Sequence, residues 1–381
     1  MKKIMLMTNT LYGGGAEKVL QTIVSNLDRS KYDVTLYSMH REELDTSLYR
    51  GALTYRAVFD SYRGHSKPAA LLHGLYAKVR AKLFTLLPSA VFYRLFIRGT
   101  YDVEVAFIEG ESTKIVSGSP NRQSRKLAWV HIDLQANPWT AFLYRGDTDE
   151  AAHYRRFDKV LCVSDSVRQA FLEKFALPAQ KVETQYNPID RQAILHLAED
   201  AVDLGEKKCL RMISVGRLVP QKGFDRLLRC ADRLHKEGFD FELYILGEGG
   251  DRTMLEQLVQ EAGLEDRVFL PGFQSNPYAW MKQCDLMVCS SRSEGFSTVV
   301  TEGVVLGLPV VSTDCAGVRE LFGEANCGVI TENEEQALYE ALRQVLAKPD
   351  CLREYAAESR ARSSYFSLHA AMDRLDTLFT M

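Results

Sequence analysis

The chain contains 381 residues, and because a typical domain holds about 150 residues, this length predicts two or three domains. Hydrophobic residues make up 46% and charged residues 25% of the sequence, which is typical of globular proteins and argues against disordered, collagen-like and coiled-coil classes. Lysine and arginine number 47 against 50 aspartates and glutamates, so the net charge is −3. A chain without an overall positive charge is not expected to bind nucleic acid.

The cysteines and the N-terminus bear on the compartment in which the protein acts. None of the eight cysteines forms a C-x-x-C pair or a short Cys/His spacing of the zinc-binding kind, so we expect buried thiols. The apolar run before Thr8 is too short for a signal-peptide core, and no segment approaches the roughly 18 consecutive apolar residues of a membrane-spanning helix. The sequence therefore predicts a cytoplasmic protein whose membrane contact is peripheral.

Short β-type runs recur along the chain, and a helical stretch follows each of them. Alternating strands and helices predict a parallel, doubly wound sheet, and two sets of runs predict two such sheets. The first set lies at residues 3–8, 32–37, 103–108, 127–131, 159–164 and 182–186, and the second at 210–215, 241–246, 268–270, 286–289, 309–312 and 328–330.

A polar segment without a strand signal, residues 193–208, separates the two sets. We therefore place a domain boundary near residue 190, with an N-terminal domain over 1–190 and a C-terminal domain over 191–364. Ligands of doubly wound sheets bind beyond the carboxyl ends of the strands, so two facing sheets are expected to leave a ligand-binding cleft.

Three glycines, Gly13, Gly14 and Gly15, follow the first predicted strand and open a helix. Glycine allows a ligand to approach the backbone closely. The pattern is neither G-x-G-x-x-G nor the Walker sequence, which disfavours a nicotinamide cofactor and a P-loop. A tight turn that needs positive φ is the alternative explanation, and it accounts for only one or two of the three glycines.

Residues 61–100 contain seven lysines or arginines, no acidic residue and many Leu, Phe and Tyr. One interpretation is a basic, apolar surface that rests on an anionic membrane. The other, given equal weight, is a pair of core-packed helices with a basic solvent-exposed face.

His131 ends the predicted strand 127–131, which brings an imidazole to the carboxyl edge of the sheet. There it can donate to a sugar hydroxyl or to developing charge. A purely structural histidine explains the position equally well.

Two cations, Arg217 and Lys222, flank the turn between the strand at 210–215 and the next helix. At the carboxyl end of a strand they can bind a pyrophosphate, because arginine offers paired donors and lysine a point charge. For an isolated pair of this spacing, solvated loop charges are the more common explanation.

A second turn of this kind follows the strand at 286–289. Ser297 or Thr298 suits a helix N-cap, and the first amides of that helix would favour a phosphate without a metal. Glu294 precedes the helix and Glu302 lies within it, so their carboxylates can accept from different hydroxyls of one ligand. Alone, the two glutamates are also compatible with solvated charges.

Taken together, these segments resemble the retaining glycosyltransferases of family 4, which have the two-domain GT-B fold. The resemblance runs nearly end to end, and the glutamates at 294 and 302 have the family's spacing. The segments that carry it are GGGAEKV at 13–19, WVHID at 129–133, VSDSVR at 163–168, NPID at 187–190, VGRLVPQKGFDRLL at 215–228, LGEG at 246–249, LPGF at 270–273 and EGFSTVVTEG at 294–303.

The resemblance implies roles for individual residues. Arg217 and Lys222 would bind the donor's diphosphate, Glu302 the ribose, and Glu294 the transferred sugar, near which His131 would lie. The last helix, within 365–381, would return to the first domain. The remaining residues that the resemblance assigns to the donor are Gly14, Gly15, Gly216, Gly247, Gly272, Phe273, Gly295, Phe296, Ser297 and Thr298.

The implied activity is transfer of a hexose or N-acetylhexosamine with retention, without a metal ion or other cofactor. Pro188, where many relatives have glycine, favours a UDP-sugar over a GDP-sugar donor. The segment 61–100 suits a lipid-linked glycan acceptor at the inner face of the membrane, as in assembly of capsule, exopolysaccharide or O-antigen. The alternatives are a UDP-sugar epimerase or hydrolase of the same fold, and a non-catalytic subunit that binds nucleotide-sugar or glycan.

Overall fold

A computed structural model describes residues 1–11, 14–41, 53–59, 82 and 84–380. The chain forms two compact units, Met1–Asn187 together with His369–Met381, and Pro188–Leu368. The end of the first unit's main segment lies three residues before the predicted boundary at 190. Residues 61–81 and 83 of the predicted basic, apolar segment lie outside the described residues, as does Gly13.

The first unit is built on a seven-stranded parallel sheet in the order β3-β2-β1-β4-β5-β6-β7. Its strands are β1 (Lys2–Thr8), β2 (Tyr32–His40), β3 (Thr54–Phe59), β4 (Val103–Ala106), β5 (Arg125–Val130), β6 (Lys159–Cys162) and β7 (Val182–Thr184). Its helices are α1 (Gly15–Asn26), α2 (Ser89–Phe96), α3 (Glu111–Val116), α4 (Asp147–Tyr154) and α5 (Asp165–Phe175). The central strands are buried on both faces because a doubly wound sheet is covered on both sides.

The second unit contains a six-stranded parallel sheet in the order β10-β9-β8-β11-β12-β13. Its strands are β8 (Leu210–Val215), β9 (Phe241–Leu246), β10 (Val268–Gly272), β11 (Leu286–Cys289), β12 (Val310–Thr313) and β13 (Gly328–Thr331). Its helices are α6 (Arg191–Leu197), α7 (Phe224–Lys236), α8 (Arg252–Glu261), α9 (Pro277–Lys282), α10 (Thr298–Val305), α11 (Val318–Phe322), α12 (Glu335–Ala347) and α13 (Cys351–Arg362).

The last helix, α14 (Leu368–Thr380), packs in the first unit. Its Phe379 is buried, and the ring lies 5.9 Å from that of Tyr32. The hydroxyl of Tyr32 donates to Asp376 at 2.7 Å. Aromatic packing and a hydrogen bond thus attach the C-terminal helix beside the start of β2.

The prediction of two doubly wound parallel sheets is confirmed. Two other expectations need correction, one on the number of strands and one on the burial of the cysteines. Strand β3 was not predicted; it lies at the edge of its sheet and is mostly half-buried, so it lacks the apolar run of a central strand. Cys209 and Cys351 are partly exposed rather than buried. Within the described ranges, no helix combines the length and apolar character needed to cross a bilayer.

Gly223, between β8 and α7, supplies a test of the packing in the second unit. Its φ is +65°, and a Cβ there would lie 2.1 Å from the carbonyl oxygen of Ser290. Gly238, after α7, has φ +87° but open space around it. The backbone strain of a left-handed alanine is therefore common to both sites, and the clash is confined to Gly223.

We expect Gly238→Ala to lower the free energy of unfolding by about 1 kcal/mol, which is the left-handed penalty alone. Gly223→Ala should cost about 1–3 kcal/mol more, because the backbone of Ser290 must move. Urea unfolding of the two variants side by side, in the same unit, measures the difference. Equal midpoints would show that the backbones at Gly223 and Ser290 are not in close contact.

Candidate functional site

The second unit brings two predicted turns together at the point where the winding of its sheet reverses. Strand β8 lies between β9 and β11, so the chain proceeds outward from β8 in both directions. The turn after β8 ends in the 3-10 helix Pro220–Lys222, and the turn after β11 runs from Ser290 to Ser297. A ligand of such a sheet binds beyond the carboxyl ends of these two strands.

An ion pair joins the two turns. The ammonium of Lys222 lies 2.6 Å from Oε1 of Glu294, and their side chains are 21% and 10% exposed. The hydroxyl of Ser291 donates to the same oxygen at 2.5 Å. Glu294 is thus held by two donors before any ligand binds, and the pair borders a small cavity that Ser297 also lines.

The charge of Lys222 depends on this pair. Burial lowers the pKa of the Lys222 ammonium, but the charge and hydrogen bond of Glu294 raise it by more, so the pKa lies above its ordinary value. The like charge of Arg217, whose side chain is exposed, opposes the rise. Lys222 therefore carries a proton at neutral pH, and Arg217 adds a second cation nearby.

Arg226, on the first turns of α7, fixes the backbone of the second turn. Its guanidinium is buried and donates to the carbonyl oxygens of Ser290 at 2.8 Å and Ser291 at 2.6 Å, and to the side chain of Asn333 at 2.8 Å. Sequence reasoning missed Arg226 because nothing in the sequence distinguishes it from the other arginines of the same helix. It holds the segment that carries Ser291 and Glu294.

Helix α10 begins beside the same turn. Of the two predicted caps, Ser297 occupies the N-cap position and Thr298 is the first helical residue. Glu302 is 3% exposed, and the hydroxyl of Tyr278, on α9, donates to its Oε1 at 3.2 Å. Glu302 is therefore a buried acceptor whose carboxylate is oriented by Tyr278. Sequence reasoning identified Glu302 but not Tyr278.

Glycine-containing loops follow the neighbouring strands. Gly216 donates to the carbonyl of Leu246 at 2.9 Å, and Gly247 donates to that of Gly272 at the same distance. Phe273, the next residue, is 66% exposed, so its ring is accessible to a ligand. These loops lie at the carboxyl ends of β8, β9 and β10, on the edge of the sheet that carries the ion pair.

The loop at Gly295 and Phe296 packs closely against the backbone of Gly317, at the start of α11. A Cβ on Gly317 would lie 2.4 Å from the carbonyl oxygen of Gly295 and 3.0 Å from Cα of Phe296. Only glycine allows this close approach. Gly317 was not among the predicted site residues, since a single glycine after a strand gives no sign of what it contacts.

The first unit contains a separate group of polar residues around His131, just after β5. Nε2 of His131 lies 2.8 Å from the carbonyl oxygen of Phe107. A carbonyl only accepts, so Nε2 carries the proton and Nδ1 is an acceptor. Burial lowers the pKa of the imidazole to about 4, so the ring is neutral at neutral pH. A ligand hydroxyl at Nδ1 would therefore donate to the ring, and the predicted place of His131 near the sugar stays a prediction.

Glu109, which sequence reasoning missed, supports His131. It is 2% exposed and accepts from the backbone N–H of His131 at 3.0 Å and from the indole N–H of Trp139 at 3.2 Å. Burial raises the pKa of its carboxyl. Glu109 follows shortly after β4, at the same edge of the sheet where β5 ends. This position was the signal in the sequence that could have identified Glu109 as a site residue.

Gly14 and Gly15 lie at the beginning of α1 in the first unit, with Gly14 as N-cap. Gly14 has φ −144°, so a positive φ does not explain this glycine. A side chain there would meet the carboxylate of Glu17, with Cβ 2.3 Å from its Oε2. Because the Glu17 carboxylate is the end of a flexible side chain, it could move aside, and this contact does not by itself require glycine at position 14.

The second unit offers a ligand cationic groups beside the carboxylates of Glu294 and Glu302. Arg217, Lys222 and the amides at the start of α10 all favour an anion such as a diphosphate. Over the part of the chain that the structure describes, no three His, Cys, Asp or Glu side chains form a group able to hold a metal ion.

Comparison with known proteins shows which family the second unit is similar to. Residues 199–362 match the family described as Glycosyl transferases group 1. The chain is 34% identical over 215 residues to the N-acetylgalactosamine-N,N'-diacetylbacillosaminyl-diphospho-undecaprenol 4-alpha-N-acetylgalactosaminyltransferase of Campylobacter jejuni, a match that covers 56% of this chain and 57% of that protein. It is 23% identical to the amylovoran biosynthesis glycosyltransferase AmsD of Erwinia amylovora over 93% of both chains.

Solved structures with the same architecture cover the whole chain. Anabaena Alr3699/HepE in complex with UDP and glucose superposes with a TM-score of 0.72 at 20% identity and covers 100% of both chains. The lipopolysaccharide outer core galactosyltransferase WaaB superposes with a TM-score of 0.66 at 17% identity and covers 99% of both. The chain therefore has the GT-B fold, and its residues 199–362 match the family described as Glycosyl transferases group 1.

Proposed function

We propose that this protein is a retaining glycosyltransferase that moves a hexose or N-acetylhexosamine from a UDP-sugar to a lipid-linked glycan, without a metal ion. The observation that carries the proposal is the pair of Lys222 and Glu294 at the carboxyl ends of β8 and β11. Lys222 offers charge to a diphosphate, and Glu294 offers an acceptor to sugar hydroxyls. Together, the two residues can therefore contact both the diphosphate and the sugar of a nucleotide-sugar.

The chemistry follows from the charge that develops on the leaving group. The bond between the anomeric carbon and the diphosphate oxygen breaks, the acceptor hydroxyl bonds to that carbon on the same face, and its proton passes to the diphosphate. Arg217, Lys222 and the first amides of α10 stabilise the departing diphosphate, which is preorganised electrostatic catalysis. These charges do the work that a bound cation does in other transferases, so we expect no need for a metal.

Two observations support UDP over GDP as the nucleotide. Pro188 lies in the NPID segment, where the family resemblance leads us to associate proline with a UDP-sugar donor, and a crystal structure of Anabaena HepE, which has the same fold, holds UDP and glucose. Glu302, held by Tyr278, is the acceptor that we assign to the ribose hydroxyls. The exposed ring of Phe273 is available to the base.

A lipid-linked acceptor is supported by the printed name of the Campylobacter relative, which acts on a glycan joined to diphospho-undecaprenol. AmsD and other relatives belong to polysaccharide or lipopolysaccharide assembly. We therefore propose that the protein works at the cytoplasmic face of the cell membrane and contacts its anionic surface through part of residues 61–100. The contacts with sugar and phosphate that the resemblance implies for His131, Gly14 and Gly15 remain predictions.

Substitution of the ion pair tests the proposal. Lys222→Met should lower the rate of transfer by about 10²–10³, the loss expected when one stabilising group for developing negative charge is removed. Glu294→Gln should also lower it strongly, because the sugar loses an acceptor. The assay measures UDP release from a panel of UDP-hexoses and UDP-N-acetylhexosamines, with diphospho-polyprenol-linked glycans as acceptors and with EDTA present.

The matched control is Lys236→Met, which removes an exposed lysine paired with Asp232 at 2.7 Å in the same unit. It should leave transfer unchanged. Unchanged turnover in Lys222→Met and Glu294→Gln would refute the site assignment. UDP release that needs no acceptor would favour the epimerase or hydrolase alternative, and inversion at the anomeric carbon of the product would refute retention.

The tautomer of His131 can be measured independently of any substrate. We expect the ¹⁵N NMR signals of its ring, assigned by their loss in His131→Asn, to show a neutral imidazole with the proton on Nε2. The signals should titrate with a pKa of about 4, because burial disfavours the charged ring. A titration between pH 6 and 7, close to the ordinary histidine value, would contradict this geometry.

A further inference from the structure

We propose that Ser291 is a positioning residue, whose hydroxyl keeps the Glu294 carboxylate directed at the transferred sugar while the diphosphate takes Lys222 as its partner. This inference rests on the proposed transferase function and concerns how the same site responds when a nucleotide-sugar binds. Ser291 lies in the turn after β11 and is 2% exposed. Because its side chain carries no charge, a diphosphate does not draw it away from Glu294.

Glu294 has two donors of different kinds, and both contact the same oxygen. Its Oε1 lies 2.6 Å from the ammonium of Lys222 and 2.5 Å from the hydroxyl oxygen of Ser291. A carboxylate only accepts, so the hydroxyl donates, and the short distance is that of a charge-assisted hydrogen bond. The two bonds restrict rotation of the carboxylate and leave Oε2 as the oxygen that can accept from a sugar hydroxyl.

Other contacts within the second unit fix Ser291 independently of Glu294. The carbonyl oxygen of Ser291 accepts from the buried guanidinium of Arg226 at 2.6 Å and from the buried hydroxyl of Thr313 at 2.6 Å. The thiol of Cys289 donates to the hydroxyl oxygen of Ser291 at 3.6 Å, which leaves the hydrogen of that hydroxyl for Glu294. The hydroxyl is therefore oriented before any ligand binds.

Lys222 has two anionic partners once a nucleotide-sugar is bound. A diphosphate carries more negative charge than one carboxylate, so it competes with Glu294 for the ammonium. Each ammonium hydrogen that turns to the diphosphate weakens the hold on Glu294, whereas the neutral hydroxyl of Ser291 keeps its bond. Ser291 thus allows Lys222 and Glu294 to act on different parts of the same ligand.

A purely structural role for Ser291 predicts a different pattern of losses. A residue that only supports the turn would alter the binding of UDP and of UDP-sugars alike, since both depend on Lys222. A residue that positions Glu294 affects only the part of the ligand that Glu294 contacts. Comparison of UDP, which lacks the sugar, with a UDP-sugar therefore separates the two roles.

The first experiment measures transfer and calorimetric affinity in Ser291→Ala. Loss of a hydrogen bond to a charged group should lower kcat/KM for the UDP-sugar that the wild type uses by about 10- to 100-fold. The affinity for UDP should be unchanged. The matched control is Ser214→Ala, because Ser214 is 3% exposed and lines the same cavity, but its hydroxyl donates to the carbonyl of Val288 at 2.6 Å. Ser214→Ala should transfer sugar as the wild type does.

A second variant covers the case in which Ser291→Ala folds poorly, which near-ultraviolet circular dichroism would show. Ser291→Cys keeps the shape of the side chain, but a thiol is only a weak donor. It should lower kcat/KM in the same direction and leave the affinity for UDP unchanged. Wild-type kcat/KM in both Ser291 variants would overturn the proposal.

A double-mutant cycle tests whether Ser291 acts through Glu294. In a Glu294→Ala background, Ser291→Ala should cause little further loss of transfer, because the carboxylate that the hydroxyl orients is gone. Single turnovers at high enzyme concentration keep the slow variants measurable. An equal loss in both backgrounds would show that Ser291 acts independently of Glu294 and would overturn the proposal.

Failure of this inference can be told from failure of the proposed function. If the wild type transfers sugar and Ser291→Ala does so equally well, the positioning role alone is wrong. Equal losses of affinity for UDP and for the UDP-sugar would assign Ser291 a structural role and also overturn the inference. If the wild type binds no nucleotide and transfers no sugar, the proposed function is wrong and the role of Ser291 fails with it.

Discussion

The contact between Lys222 and Glu294 is the interaction on which the site of the second unit depends. It joins two turns that are far apart in the chain, and burial makes each charge costly unless the other is present. Removing either partner leaves an uncompensated charge at the carboxyl edge of the sheet. A nucleotide-sugar supplies both groups with new partners, the diphosphate for Lys222 and sugar hydroxyls for Glu294, which is why the pair fits this class of ligand.

The two units place their polar residues in the same part of the sheet. In each, polar side chains gather beyond the carboxyl ends of neighbouring strands, after β4 and β5 in the first unit and after β8 and β11 in the second. Buried groups then orient the functional ones. Glu109 holds the backbone of His131, and Arg226 holds the carbonyls of Ser290 and Ser291 at the beginning of the segment that leads to Glu294. Both supporting residues are buried, Glu109 at 2% and Arg226 at 4% exposure.

Strand–helix alternation was enough to predict the two sheets, since apolar runs and helical spacing are local signals. The motif residues Lys222, Glu294 and Ser297 were found because each lies in a turn between a predicted strand and the next helix. Arg226 and Tyr278 were not, because their roles depend on contacts with residues distant in the chain. The tautomer of His131 likewise depends on a carbonyl 24 residues away.

The measurement that tests the central claim most directly is calorimetric titration with UDP and with GDP, in EDTA. The account predicts saturable binding of UDP without a divalent ion, weaker binding of GDP, and a loss of at least about tenfold in affinity in Lys222→Met, because a buried cation facing the diphosphate is gone. No binding of UDP in EDTA, or equal affinity in wild type and Lys222→Met, would contradict it.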